Sequence, residues 1–158
     1  MSLELWKQNG WLREHKTSPA EVASVLALVD RDLADAAREE VSTDWRFNIA
    51  YNAGLQLATL ALYAAGYRAG RGESKHYRII QALPLVMGER FSGICAYLDN
   101  CRRKRNVSEY DAVGTISETE AADLLRTVQE LRVDVQKWLQ QNYPELCSHE
   151  GQGEREPQ

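Results

Sequence analysis

The chain is short of the residues that interrupt or staple a fold. Its 158 residues include four prolines, ten glycines, three cysteines and two phenylalanines. The prolines and glycines fall mostly between periodic segments. No run alternates apolar and polar residues with the period of two that a half-buried strand requires, so helices are expected throughout. Cys95, Cys101 and Cys147 make an odd count without CxxC spacing, and His15, His76 and His149 are scattered along the chain. Neither a disulfide framework nor a zinc cluster is indicated, and free buried thiols in a reducing cytosol are the expectation. There is no long hydrophobic run either. The most apolar window, residues 55–66, contains Gln56 and falls short of the about 20 apolar residues that cross a bilayer. With no positive segment and apolar stretch at the N-terminus to act as a signal peptide, the reading is a cytoplasmic protein that makes no use of a membrane. No glycine-rich phosphate loop follows a strand, and no cofactor is expected.

Positive charge is also scarce. There are 19 Lys+Arg against 23 Asp+Glu, a net charge of −4 with a pI near 5.4, which excludes a protein that coats nucleic acid with a generally basic surface. The average hides a concentration. Arg102, Arg103, Lys104 and Arg105 are consecutive, so the rest of the chain carries 15 basic against 23 acidic residues, or −8. An acidic body with one basic knot admits phosphate at one point while repelling nucleic acid elsewhere.

What is abundant is helical periodicity. Residues 3–14 suit a short first helix anchored by Trp6 and Trp11. Ser18-Pro19-Ala20-Glu21 combines an N-cap serine, proline at the first helical position and glutamate at the third, a capping-box start. Val22, Leu26, Val29, Leu33 and Ala37 then form one face of a helix expected to end near Val41. Ser42-Thr43-Asp44 opens a second long helix running to about Tyr67. It has one stripe of Trp45, Ile49, Ala53, Leu57, Leu60 and Ala64, and another of Ala50, Gly54, Ala58, Ala61 and Ala65. Two apolar faces mean burial on two sides, and the small-residue stripe admits a close helix, either inside the bundle or across a dimer. Residues 66–74 read as a loop and 76–87 as a third helix, kinked or restarted at Pro84. Residues 89–104 form a fourth helix and 106–116 a polar connection. Ser117-Glu118-Thr119-Glu120 is a second capping box, opening a last helix through Leu124, Val128, Leu131, Val135 and Trp138. Residues 148–158 lack large apolar side chains and are expected to be a disordered tail. The fold class is all-α: residues 1–147 as one up-and-down antiparallel bundle of four or five helices.

The chemically unusual segment is Cys101-Arg102-Arg103-Lys104-Arg105-Asn106, followed by Tyr110-Asp111. One or two cations suffice to complement a helix C-terminus, whereas four in a row repel one another. Arginine offers a bidentate fork for phosphate, Asn106 an amide, and Tyr110 a hydroxyl or a stacking face. Asp44 and Asn48, near the start of the central helix, are candidates to orient a ligand, although Asp44 equally suits a helix cap. Tyr51, Tyr63 and Tyr67 read as core or interface residues, and His76 as structural.

Two segments together carry a resemblance. The helix Arg46-Phe47-Asn48-Ile49-Ala50-Tyr51-Asn52-Ala53-Gly54, ending in Ala64-Ala65-Gly66-Tyr67 and followed by a loop and His76, is one. Arg105-Asn106-x-x-x-Tyr110-Asp111 is the other, matching an R-N-x-x-x-H motif with tyrosine in the histidine position. Over roughly residues 20–140 the chain resembles the HEPN superfamily of small helical proteins, closest to its stand-alone members. The resemblance implies a four- or five-helix bundle and a homodimer. It also implies metal-independent RNA cleavage as a toxin partnered by a nucleotidyltransferase-type antitoxin, with Arg105 clamping phosphate. In that chemistry the histidine moves the proton of the attacking 2′-hydroxyl. A tyrosine, with an ordinary pKa of about 10 against about 6.5 for histidine, stays protonated at neutral pH and binds rather than catalyses. The expectation is therefore a HEPN-like bundle that holds a nucleotide or RNA phosphate through Arg105, Asn106 and Tyr110, assisted by Arg102 and Arg103. Two alternatives stand beside it: a metal-independent endoribonuclease toxin using Arg105 and Tyr110, and a non-catalytic, antitoxin-type dimer whose basic knot pairs with a partner's acids.

Overall fold

The computed structural model describes residues 2–110 and 115–147, except the side chains of residues 107–110. Helix α1 (Leu3–Gln8) starts at Ser2, whose hydroxyl accepts from the Leu5 N–H. It stops six residues short of the expected end, because Gly10 takes a φ of +78° and turns the chain into a strand, β1 (Leu12–Glu14). This strand pairs antiparallel with β2 (Tyr67–Ala69), in the register Leu12↔Ala69, Arg13↔Arg68 and Glu14↔Tyr67. Both strands depart from the purely helical expectation, and at three residues each they are too short for alternation to show. The ribbon also needs Gly70, where a Cβ would lie 2.4 Å from the Gly10 carbonyl oxygen.

Helix α2 (Pro19–Ala36) begins at Ser18, which accepts from the Glu21 N–H at 3.1 Å. The Glu21 carboxylate does not reach back to complete a capping box. It takes the His15 Nε2 at 2.6 Å and the Thr17 hydroxyl at 2.7 Å instead. The helix also ends before Val41, since Arg38-Glu39-Glu40 adds nothing apolar to bury.

Helix α3 (Thr43–Ala64) is the axis of the molecule, packed against α2 and three later helices. Phe47, Ala50, Tyr51, Ala53, Gly54, Leu57, Ala58 and Leu60 are all buried. Trp45, assigned to the apolar stripe from sequence, is instead 63% exposed. The N-cap position belongs to Ser42, with Asp44 inside the first turn, so Asp44 is not the cap.

Helix α4 (Lys75–Met87) runs through Pro84 without restarting and buries Ile79, Ile80 and Leu83. After Gly88 (φ +112°) and a 3₁₀ turn, Glu89–Phe91, comes α5 (Ser92–Tyr110). This helix overruns its expected end by six residues, since no proline or glycine interrupts the chain before Gly114. The four cations therefore lie within a helix and not at its C-terminus, and residues 106–110 are helical rather than part of a polar connection. Helix α6 (Glu118–Asn142) has the full capping box: Ser117 Oγ accepts from Glu120 N–H, and the Glu120 carboxylate accepts from Ser117 N–H. A last 3₁₀ turn, Pro144–Cys147, folds Leu146 inward.

The chain is thus mainly helical, with one buried apolar cluster that draws on all six helices. No helix among the described residues is long and apolar enough to cross a membrane. Asp111 and the expected disordered tail at 148–158 lie outside the described residues.

Candidate functional site

Because the basic run is helical, it is divided among the faces of α5. Arg102 and Asn106, four apart and so on one face, line a space with the start of α4, Arg105 lies over Tyr51 of α3, and Arg103 and Lys104 line a space with α6. The last pair is neutralised by its surroundings. Lys104 forms an ion pair with Glu120. Arg103 donates to Asn100 Oδ1 at 2.7 Å and lies 3.3 Å from Asp99 Oδ2. These two cations line a cleft of about 430 Å³ that also holds Glu120 and Asp123, so its charge is mixed. Arg103, a candidate phosphate ligand from sequence, thus lines a different cleft from Arg102 and Asn106, although it shares the Asp99 carboxylate with Arg102.

The first pair lines a different space, an open cleft of about 480 Å³ between the start of α4 and the second half of α5. Arg102 and Asn106 contribute from α5, and Lys75, His76 and Tyr77 from α4. Arg102 donates through Nε to Asp99 Oδ1 at 2.9 Å. Its Nη groups make no hydrogen bond among the described residues, and its guanidinium carbon lies 5.5 Å from the Tyr77 ring centroid. Helix α4 starts here without a side-chain cap, which leaves its first-turn N–H groups and the positive end of its dipole at the edge of the cleft.

Beneath lies a group that ties three helices together. The Arg105 guanidinium sits 5.2 Å from the centroid of the buried Tyr51 ring on α3, within cation–π range. Tyr51 in turn places its hydroxyl 3.5 Å from His76 Nδ1, a long and weak hydrogen bond. Burial pushes the Tyr51 hydroxyl up to about 12, against a smaller opposing pull from Arg105 and Arg102; it is therefore a neutral donor at physiological pH. His76 is held below its ordinary value, first by burial and then by the charges of Arg105, Lys75 and Arg102. A neutral imidazole that accepts from Tyr51 at Nδ1 carries its proton on Nε2.

Of the other sequence candidates, neither Asp44 nor Asn48 lines this cleft. Asn48 is half-buried, and its Oδ1 has no hydrogen bond among the described residues. Tyr110 is the last residue of α5, and its side chain lies outside the described residues. Arg46, part of the resemblance, donates to Thr43 Oγ1 at 3.3 Å and lies 3.9 Å from Glu118, away from the cleft. His76, Tyr51, Tyr77 and Lys75 were not picked out as site residues from sequence. Their shared signal is tertiary: only the packing of α3, α4 and α5 brings them beside Arg102 and Arg105. Cys95 and Cys101 offer no nucleophile, since burial raises the first and pushes the second up to about 11. No group of residues suited to hold a metal ion occurs among the described residues.

The arrangement supplies two full cations against one carboxylate, Glu73, with an amide, a neutral imidazole and an uncapped helix start around one solvent-open space. That combination suits an anion with several acceptor oxygens. Comparison of the chain with protein-family models, with curated proteins and with solved structures finds no match.

Proposed function

We propose that this chain is a HEPN-like helical bundle that binds a nucleotide or RNA phosphate between α4 and α5, without efficient catalysis. The observation that carries the reading is the convergence of Arg102 and Asn106 with Lys75 and His76 around one open cleft. Arg102 and Lys75 supply charge, and Asn106 and His76 Nε2–H supply directed donors. Arg105, in this reading, is the clamp of the family motif seated on Tyr51, where it holds α5 against α3 and adds positive potential from below. Two features support binding over cleavage: Tyr51 is protonated and supplies no base, and the His76 tautomer that accepts from Tyr51 at Nδ1 directs its Nε2–H, not a lone pair, toward the cleft.

Titration calorimetry with uridine monophosphate tests this directly. The expected result is binding that weakens at least 10-fold in both Arg102→Gln and Asn106→Ala. Binding that survives unchanged in both variants overturns the proposal.

A second reading, a metal-independent endoribonuclease toxin, is favoured by one observation: the neutral His76 shares its cleft with Arg102. There the lone pair of the neutral imidazole would take the 2′-hydroxyl proton as that oxygen attacks phosphorus, and the imidazolium so formed would return it to the departing 5′-oxygen, with Arg102 on the phosphate. Incubating the protein with single-stranded and structured RNA in the presence of a chelator separates the two. Cleavage lost in His76→Ala and Arg105→Ala supports the toxin reading, and intact RNA removes it.

A further inference from the structure

We infer that the β1–β2 ribbon and the loop entering α4 form a second phosphate subsite, continuous with the first, so that the ligand is a single-stranded oligonucleotide and not a mononucleotide. The inference builds on the α4–α5 cleft as a phosphate site and names its substrate class.

The ribbon is built with a charge conflict. Arg13 and Arg68 are direct cross-strand partners and so project from the same face with Cβ atoms about 5 Å apart, a like-charge arrangement that destabilises a strand pair. Both line a cleft of about 520 Å³ together with Arg71 and Lys75. None of these four cations has an ion-pair partner among the described residues. Several other arginines are matched with acids: Arg102 with Asp99, Arg38 with Glu40 and Arg132 with Asp30. Other acids around the ribbon are committed elsewhere. Glu14, on the opposite face of β1, holds Lys7 at 2.7 Å, Glu4 accepts from the Tyr67 hydroxyl, and Glu21 is held by His15 and Thr17. Asp32 accepts from Arg31 and from Gln56. Among the described residues Glu73 is the one acid lining the two clefts, against Arg13, Arg68, Arg71 and Lys75, so an external anion supplies the counter-charge that this face lacks.

Two further features fix the class of anion. The ribbon cleft shares Gly72, Lys75 and His76 with the α4–α5 cleft, so the two spaces form one trough with cations at both ends. A single phosphate fills one end; consecutive phosphates on one backbone fill both. Aromatic faces accompany the charge: Tyr63, stacked on His15 with centroids 4.0 Å apart, lines the ribbon end, and the exposed Tyr77 stands beside Arg102 at the other. Cations alternating with aromatic faces suit a strand whose bases are unpaired.

The test is fluorescence anisotropy with a 5′-labelled ten-residue oligouridylate, measured against salt concentration, beside calorimetry with uridine monophosphate. In Arg13→Thr/Arg68→Thr, oligouridylate binding is expected to weaken at least 10-fold. The slope of log K against log[salt] should fall by about 1.4, at about 0.7 for each lost phosphate contact on a single strand. Monophosphate binding should stay unchanged, and the melting temperature should not fall, since the variant removes a like-charge pair. Arg71→Gln, in an exposed loop, should weaken the oligonucleotide in the same sense if the double variant folds poorly. An unchanged oligonucleotide affinity and salt slope in these variants, with monophosphate binding intact, overturns the second subsite alone. Loss of both ligands from the wild-type protein overturns both readings. Arg13- and Arg68-dependent capture of an oligoglutamate in preference to oligouridylate overturns the assignment to nucleic acid.

Discussion

Replacing Gly54 by alanine probes the packing on which the site depends. Gly54 lies at the middle of α3, and a Cβ added there would approach Leu98 Cδ2 and Val128 Cγ2 to 3.2 Å each. Both neighbours are fully buried, and a helical valine has one strongly preferred rotamer, so Val128 cannot swing aside. Alanine gains about 0.8–1 kcal/mol over glycine in a helix interior, while an overpacked core loses about 1–3 kcal/mol. The balance is a destabilisation of about 1 kcal/mol, which lowers the melting temperature by roughly 2–4 °C for a domain of this size. Because Leu98 and Arg105 share α5, the same push loosens Arg105 from the Tyr51 ring. Thermal unfolding of Gly54→Ala, Val128→Ala and the double variant measures the effect. The two substitutions should couple by at least about 0.5 kcal/mol, since Val128→Ala removes one of the obstructing methyl groups. A higher melting temperature for Gly54→Ala, or strict additivity, refutes the close approach of α5 and α6 to α3.

Three other predictions follow from single interactions. Ser117→Ala removes half of the α6 capping box and should cost about 1 kcal/mol, read by urea unfolding. Asp99→Asn releases Arg102 and Arg103 from a buried carboxylate; it should lower stability by about 1.5–3 kcal/mol while tightening uridine monophosphate binding, which calorimetry and unfolding check together. His76 is neutral in the folded protein because its pKa lies below the ordinary value of 6.5. As pH falls through 6.5 the unfolded chain takes up the proton first, so stability present above that pH is lost down to the folded pKa. Unfolding measured from pH 7.5 to 5 should show this decline, and it should be shallower in His76→Gln.

The long helices were legible because each advertises its own periodicity: Val22 to Leu33 and Leu124 to Trp138 are spaced as they are buried. The Ser117 capping box was equally local. The ribbon was not legible, because each strand is three residues long and its partner lies more than fifty positions away. The end of α5 was misplaced for a different reason. Four adjacent cations suggested a helix terminus, but Asp99 and Glu120 offset their repulsion and let the helix continue. That continuation decides the site: in a loop Arg102 through Arg105 would act as one patch, whereas on a helix they divide. Arg105 and Asn106 are therefore legible as candidates by type and Tyr51 and His76 as parts of the resemblance, whereas the place of these two and of Lys75 beside Arg102 follows only from the packing of α3, α4 and α5. The ribbon arginines are farther still from any sequence signal, since Arg13 and Arg68 become neighbours through strand pairing alone.

The most direct test of the central claim is the pKa of the His76 imidazole, measured by NMR in the absence and presence of saturating uridine monophosphate. An anion bound between Arg102, Lys75 and His76 offsets the positive charges that, after burial, depress this group, so the bound state should titrate at higher pH than the free one. His76 resonances and pKa that are unchanged at saturation would contradict phosphate binding in the α4–α5 cleft.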